Sequence, residues 1–273
     1  MRVRPLCLDE HVAHQAAERE IGVRLVQMTE LTALESKLDS AESVRVDGYA
    51  GPAGNLLFDP RVDTVHLISF LAPQPFQLVL DWDGTVTVRD SQWMLLERFG
   101  DGAVFEAMEG ALGTTHSYRE VMELELATIT APFEEAVAFL LAEVRVRAGF
   151  RELVERFRPL VLSGGFVDTI APILEREGVS VDLVANRLDP RPDGWRINWA
   201  DDSLCPVCGD LCKRRLLPPG RPLVYVGDGY SDRCAALVAD RVFTRPGLGR
   251  YLETQGVAHK PFETFDDIIR TLA

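Results

Sequence analysis

The chain has 273 residues, 47% of them apolar and 26% charged, with a formal net charge of −13. That length and apolar share allow one large core or a main domain with smaller pieces attached. The acidic balance disfavours unspecific binding to nucleic acid or to an anionic membrane, although a local basic pocket could still hold a phosphate.

No apolar run approaches the roughly 18 residues a membrane span needs. Arg2 and Arg4 have no apolar stretch behind them, and Asp9, Glu10, Glu18 and Glu20 argue against a transit peptide. Five cysteines are an odd number, three of them between Cys205 and Cys212, so a secreted disulfide framework is disfavoured and a reduced, cytoplasmic setting is expected.

Residues 1–75 form an N-terminal extension of unknown role. Within it, 8–38 is helix-compatible, 47–55 is a loop by composition, and 65–71 reads as a strand closed off by Pro73 and Pro75. His11 and His14 have a spacing that can ligate metal on a helix, but a solvated helix face is the simpler reading.

Next, Gln77-Leu78-Val79-Leu80 reads as a buried parallel strand that hands Asp81 and Asp83 to a turn at Gly84. The carboxyl end of such a strand is where open α/β sheets bind ligands, so paired carboxylates there point to metal or acid/base chemistry. Asp90 or Ser91 can cap a helix that carries Trp93, Leu95, Leu96 and Phe99 and stops at Gly100. Tyr118, Val121, Met122 and Leu126 recur at helical spacing, as do Phe133, Val137, Leu140, Leu141 and Val144 after Pro132. The interval 90–156 therefore reads as a helical insertion, placed to form a lid over the first strand's carboxyl end.

Leu160-Val161-Leu162 resumes the sheet and ends in Ser163-Gly164-Gly165 before a helix over 167–177. Strand, hydroxyl, glycines and helix start aim donors at an anion, although Ser-Gly-Gly is also a common turn. Residues 181–187 and 195–199 read as a β-hairpin turning at Pro192-Asp193-Gly194. Cys205 and Cys208 have zinc-ligand spacing, but the second pair is missing, leaving only Cys212 and the distant Cys234, so no structural metal is favoured. Lys213 opens a short helical segment and, taken alone, would be a solvated surface residue.

Leu223-Val224-Tyr225-Val226 is a second strand that hands acids to a glycine turn, with Asp228 at its tip and Asp232 in the first turn of a helix over 231–239. An acidic helix cap explains Asp232 alone, but not why two strand ends both carry acids beside glycine. A strand over 241–244 and helices over 248–254 and 265–272 complete an α/β alternation.

Asp81-Trp82-Asp83-Gly84-Thr85 resembles the first motif of the haloacid dehalogenase (HAD) superfamily, and Ser163 with Gly164 resembles the second. Lys213 is similar to the third, and Gly227-Asp228-Gly229-Tyr230-Ser231-Asp232 to the fourth, all in the required order. The resemblance implies a Rossmann-like three-layer α/β/α core with a parallel sheet, formed by residues 76–89 and 157–273, with a helical cap over 90–156 and a small β-hairpin. It also implies a Mg²⁺-dependent phosphomonoesterase acting on a small phosphorylated metabolite through an aspartyl-phosphate. On that reading Asp81 is the nucleophile, Asp83 the acid and base, and Ser163, Gly164 and Lys213 hold phosphoryl oxygens. Asp81, Asp228 and the backbone carbonyl of Asp83 would hold Mg²⁺, with Asp232 orienting Lys213 or a metal-bound water.

A second aspartate in the first motif is what the family's phosphatases and mutases carry and its dehalogenases lack. The insertion is similar to the cap of the phosphoserine-phosphatase-like branch. Ala185-Asn186-Arg187-Leu188 and the cysteine-rich lead-in to Lys213 are most similar to 2-hydroxy-3-keto-5-methylthiopentenyl-1-phosphate phosphatase-like proteins. Arg119 is the one cap arginine on offer for a substrate carboxylate, which disfavours phosphoserine itself. Beside the enzyme stand a catalytically weak phosphate-ligand sensor or partner-binding protein on the same scaffold, and a phosphosugar mutase. Neither a nucleic-acid nor a membrane partner is expected, and the oligomeric state is open.

Overall fold

The structure is a computed structural model that describes residues 24–26, 56–58, 75–219 and 222–273. The chain divides into two units, Met1–Pro73 and Gln74–Ala273. In the first, β1 (Arg24–Val26) pairs antiparallel with β2 (Leu56–Phe58), with Leu25 opposite Leu57. This strand falls inside the stretch read above as helix-compatible. Three residues are too few for periodicity to decide, and a distant pairing partner overrides local propensity. His11, His14 and the strand expected over 65–71 lie outside the described residues.

In the second unit, β3 (Gln77–Leu80), β4 (Leu160–Phe166), β5 (Asp182–Asp189), β6 (Arg196–Asn198), β7 (Leu223–Gly227), β8 (Arg241–Thr244) and β9 (Lys260–Pro261) form one sheet. Its order is β6-β5-β4-β3-β7-β8-β9, parallel throughout except for the β5–β6 hairpin. The central strand β3 is covered on both faces: Leu78 and Leu80 belong to one apolar cluster, Val79 to the other. That double burial is why its sequence is a continuous apolar run rather than an alternation. Sequence order reverses at β3, with β4 on one side and β7 on the other, and a crevice opens at such a switch point.

Helices α1 (Ser91–Phe99), α2 (Gly102–Ala111), α3 (Tyr118–Leu126) and α4 (Phe133–Glu143) follow β3, and α5 (Phe150–Phe157) precedes β4. Then come α6 (Val167–Glu177), α7 (Arg233–Ala236), α8 (Pro246–Thr254) and α9 (Phe265–Leu272). Phe150, Ile170 and Phe265 place α5, α6 and α9 in one cluster, while Ala235 and Leu248 place α7 and α8 in the other, which gives three α/β/α layers. Local sequence sets the helix starts: Asp90 accepts from the Trp93 N–H at 2.8 Å, and Ser117 with Glu120 closes a capping box on α3.

The segment carrying α1–α4 leaves and rejoins the sheet through a narrow neck. The Val88 N–H donates to the Arg145 carbonyl at 2.9 Å, and the Arg147 N–H to the Val86 carbonyl at 2.8 Å. Helix α5, which periodicity groups with the insertion, packs on the core side, with Phe150 against Trp82 and Phe265 at 6.3 and 5.6 Å between ring centroids. The hairpin reaches the inserted helices from below, as the buried Trp195 donates its backbone N–H to Ile129 and its indole N–H to Ala131.

Helix α2 lies within the expected helical insertion without a pattern of its own, and α7 is shorter than the helix expected over 231–239. Helix α2 has no fully buried residue, so its Gly- and Ala-rich run shows no apolar stripe to read. Helix α7 spans only Arg233–Ala236 because residues 238 and 239 tighten onto i−3 carbonyls and turn into β8. No helix among the described residues is long and apolar enough to cross a membrane.

One carboxyl group in α3 is buried without function in this frame. Glu125 is 2% exposed, and its Oε1 has no hydrogen-bond partner. Burial, with the neighbouring Glu109, pushes its pKa up to about 8. The folded state therefore holds a proton that the unfolded chain releases near 4.5, and stability falls as pH rises from there through about 8. Glu125→Gln is expected to stabilise the protein by about 2–4 kcal/mol at pH 9, with the gain vanishing near pH 4, as thermal melts of both proteins at the two pH values will show.

Candidate active site

The site is assembled at the carboxyl ends of β3 and β7. Asp81 follows β3 directly and is 3% exposed, its N–H bonded to the Val226 carbonyl of the neighbouring strand at 2.9 Å. The chain then makes a wide turn over Trp82–Val86, closed by the Thr87 N–H on the Trp82 carbonyl at 3.0 Å. Gly84 lies in the left-handed region at φ 70°, and a Cβ there would collide with the Asp228 carboxylate. Glycine is needed on both counts. Within the turn Trp82 points into the core while Asp81 and Asp83 stay at the crevice, so the intervening residue anchors the acids by burial.

Asp83 is held by α1. Its Oδ1 accepts from the Ser91 N–H at 2.9 Å and from the Ser91 hydroxyl. A Cβ on Gly165 would lie 2.8 Å from Asp83 Oδ2, so the second glycine after Ser163 makes room for this carboxylate. Burial raises the Asp83 pKa, against the Ser91 bonds that lower it.

Lys213 comes from a 3₁₀ turn, Lys213–Leu216, and is 4% exposed rather than solvated. Its ammonium donates to Asp81 Oδ1 and, at 2.7 Å, to Asp232 Oδ1. Burial opposes the charge, but Asp232 and Asp81 outweigh it and raise the lysine pKa. Asp232 is fully buried and saturated: Oδ1 also accepts from the Tyr225 hydroxyl at 2.7 Å, while Oδ2 accepts from the N–H groups of Asp228 and Gly229 at 2.9 and 3.1 Å. It therefore fixes both Lys213 and the loop that carries Asp228.

Ser163 and Gly164 line the same cleft as Lys213, Tyr118 and Asn186. The Ser163 Oγ accepts from the Gly165 N–H at 2.9 Å, and Asn186 donates to the Gly164 carbonyl at 2.8 Å, which orients this loop. Helix α3 is tied to the loop before Lys213 through the Tyr118 N–H on Asp210 at 2.6 Å. Arg119, the cap arginine on offer for a substrate carboxylate, pairs with Glu123 at 2.9 Å and lies over Trp199, which lines the cleft.

Asp81, Asp228 and Asp232 each offer an oxygen within 4.8 Å of the others. Burial and Asp232 push Asp81 up to about 7 against the pull of Lys213, and burial with Asp81 and Asp232 pushes Asp228 up to about 10. One lysine against three carboxylates leaves an excess of negative charge that a divalent cation would balance, reversing both shifts. With Asp232 saturated, Asp81 and Asp228 are the carboxylates open to such an ion, and an all-oxygen donor set fits Mg²⁺. The Asp83 side chain lies outside this cluster.

Sequence reasoning missed four supporting residues. Tyr225 has a readable signal, a hydroxyl in a strand buried on both faces that must find a partner. Ser91 was read only as a helix cap. Asn186 figures in the sequence only within the Ala185–Leu188 resemblance, with no role attached. Arg147 donates to the carbonyls of Thr85 and Gly84 at 2.8 and 2.9 Å and of Thr87 and Glu263 at 3.2 Å, a reach that no local pattern reveals.

Residues 78–237 match the sequence profile of the haloacid dehalogenase-like hydrolases. The chain is 31% identical over 203 residues to a 2-hydroxy-3-keto-5-methylthiopentenyl-1-phosphate phosphatase of Exiguobacterium sp., covering 70% of this chain and 94% of that protein. It is also 31% identical over 219 residues to a polyol phosphate phosphatase of Saccharomyces cerevisiae, covering 70% and 90%. A substrate-bound phosphoserine phosphatase superposes with a TM-score of 0.57 at 15% identity, over 74% of this chain and 100% of the other, which shows a shared fold.

Proposed function

The chain belongs to the haloacid dehalogenase-like hydrolases and is a phosphatase, and from that premise we propose that it hydrolyses a small phosphorylated metabolite through an aspartyl-phosphate on Asp81. The carrying observation is the buried Lys213 bridging Asp81 and Asp232, with Asp83 held apart by Ser91. A phosphate monoester repels a carboxylate nucleophile, so attack needs positive charge at the phosphoryl oxygens. Lys213 supplies it beside the attacking atom, and Ser163 with the backbone at Gly164 completes the cradle. Asp83, held by Ser91 at the edge of the crevice, serves as the acid that gives a proton to the leaving oxygen. It then takes one from the water that cleaves the acyl phosphate. Bound at Asp81, Asp228 and the Asp83 carbonyl, Mg²⁺ would neutralise charge between nucleophile and phosphate. Asp232 keeps Lys213 charged and in position.

The segment between the neck strands, residues 88–145, acts as a cap that shapes the leaving-group side of the cleft. That side carries Tyr118, Asn186, Trp199 and Ser203, hydroxyl, amide and aromatic groups suited to a short hydroxylated chain. Among the described residues the lining holds no arginine, so a neutral polyol or keto-sugar phosphate fits it better than phosphoserine. Intact acids at Asp81, Asp83 and Asp228 speak against a silent phosphate sensor.

The test is a panel of phosphorylated metabolites with Mg²⁺ that includes polyol phosphates, sugar phosphates and phosphoserine. Release of phosphate from the hydroxylated-chain esters, lowered at least about a thousandfold by Asp81→Asn, is expected. No turnover of any member, or full activity in Asp81→Asn, contradicts the reading. Phosphate that reappears on another position of the product would mark a mutase.

A further inference from the structure

The sequence argued against a metal at the cysteine-rich loop because a fourth ligand lies far along the chain. The fold removes that objection. The sulfurs of Cys205, Cys208, Cys212 and Cys234 all lie within 4.8 Å of one another. Cys205 and Cys234 are 3.8 Å apart, too far for a disulfide, and all four are free. A tetrahedral zinc with Zn–S bonds of about 2.3 Å sets its sulfurs about 3.8 Å from one another.

The loop is shaped for a ligand. Cys205-Pro206-Val207-Cys208-Gly209 closes on itself, with the Gly209 N–H on the Cys205 carbonyl and the Cys205 N–H on the Asp210 carbonyl, both at 2.9 Å. Gly209 has φ 74°, and a Cβ there would meet nothing within 4 Å, so its need for glycine is conformational. Four soft sulfur donors select zinc, while the oxygen donors around Asp81 select a hard ion, so the two sites would not compete for the same metal.

We propose that Cys205, Cys208, Cys212 and Cys234 bind a structural zinc ion, with their thiol protons released to solvent. The ion joins pieces that little else holds: among the described residues, 199–212 form no helix or strand and α7 is one turn long. Cys212 immediately precedes Lys213, Cys234 lies two residues beyond Asp232, and the same loop carries Asp210, which docks the cap at Tyr118. Zinc thus fastens the lysine, its aspartate partner and the cap contact to one point.

The full-length protein, purified without chelator and dialysed against metal-free buffer, is expected to retain zinc at about one equivalent per chain by mass spectrometric metal analysis. Cys208→Ser, at the exposed ligand, is expected to lower the retained zinc by on the order of tenfold or more. Exchange of the native protein into Co²⁺ gives a readout independent of that variant's folding: thiolate charge-transfer absorption with the strong visible bands of a tetrahedral site. Native protein without zinc and without those bands, or with Cys205 and Cys234 joined in a disulfide by peptide mapping, overturns the proposal. Asp81→Asn should keep its zinc while losing phosphatase activity, so failure of the catalytic reading and failure of this one are separable.

Discussion

Lys213→Met is expected to lower kcat/KM by about 10²–10³-fold and to destabilise the fold by about 3–5 kcal/mol. Both losses have one cause. The ammonium is enclosed between Asp81 and Asp232, and its removal leaves two buried carboxylates facing each other. Partial relief comes from protonation of Asp81, the group proposed as the nucleophile, so activity and stability fall together. Lys213→Arg does not rescue either, because a planar fork cannot take the place of a compact ammonium in a pocket that is closed around it. Urea titration and steady-state kinetics on the same preparations check the pair of effects.

Arg147→Met has the second largest expected effect, a destabilisation of about 3–5 kcal/mol with a smaller loss of kcat. The guanidinium is 8% exposed and donates to four backbone carbonyls, three of them in the stretch Gly84–Thr87 that follows Asp81 and Asp83. Methionine fills the volume but leaves those carbonyls without their donor, and that turn also forms one side of the neck to the cap. A urea midpoint unchanged from the parent protein would show that the guanidinium contributes nothing to the turn.

The parts of the molecule legible in the sequence are those where one segment carries its own signal. A continuous apolar run ending in acids and glycine identifies β3 and β7 as buried strands that present Asp81 and Asp228. The helical spacing of Tyr118, Val121, Met122 and Leu126 likewise reveals α3. What stayed hidden depends on long-range pairing. Lys213 looks like a surface residue until Asp81 and Asp232 close on it, Arg147 acts on a turn about sixty residues earlier, and Cys234 reaches the other cysteines only because α7 packs beside the 3₁₀ turn. Helical spacing places α5 with the cap, but only the aromatic contacts of Phe150 reveal its side of the neck.

Covalent transfer of the phosphoryl group to Asp81 is tested most directly by borohydride trapping during turnover of a substrate from the panel, followed by peptide mass spectrometry. An acyl phosphate on Asp81 is reduced to homoserine, so the peptide spanning Gln77 to Arg89 should carry that change only when substrate and Mg²⁺ are both present. Turnover without reduction at Asp81, or with substrate-dependent reduction at another carboxylate, would contradict the assignment.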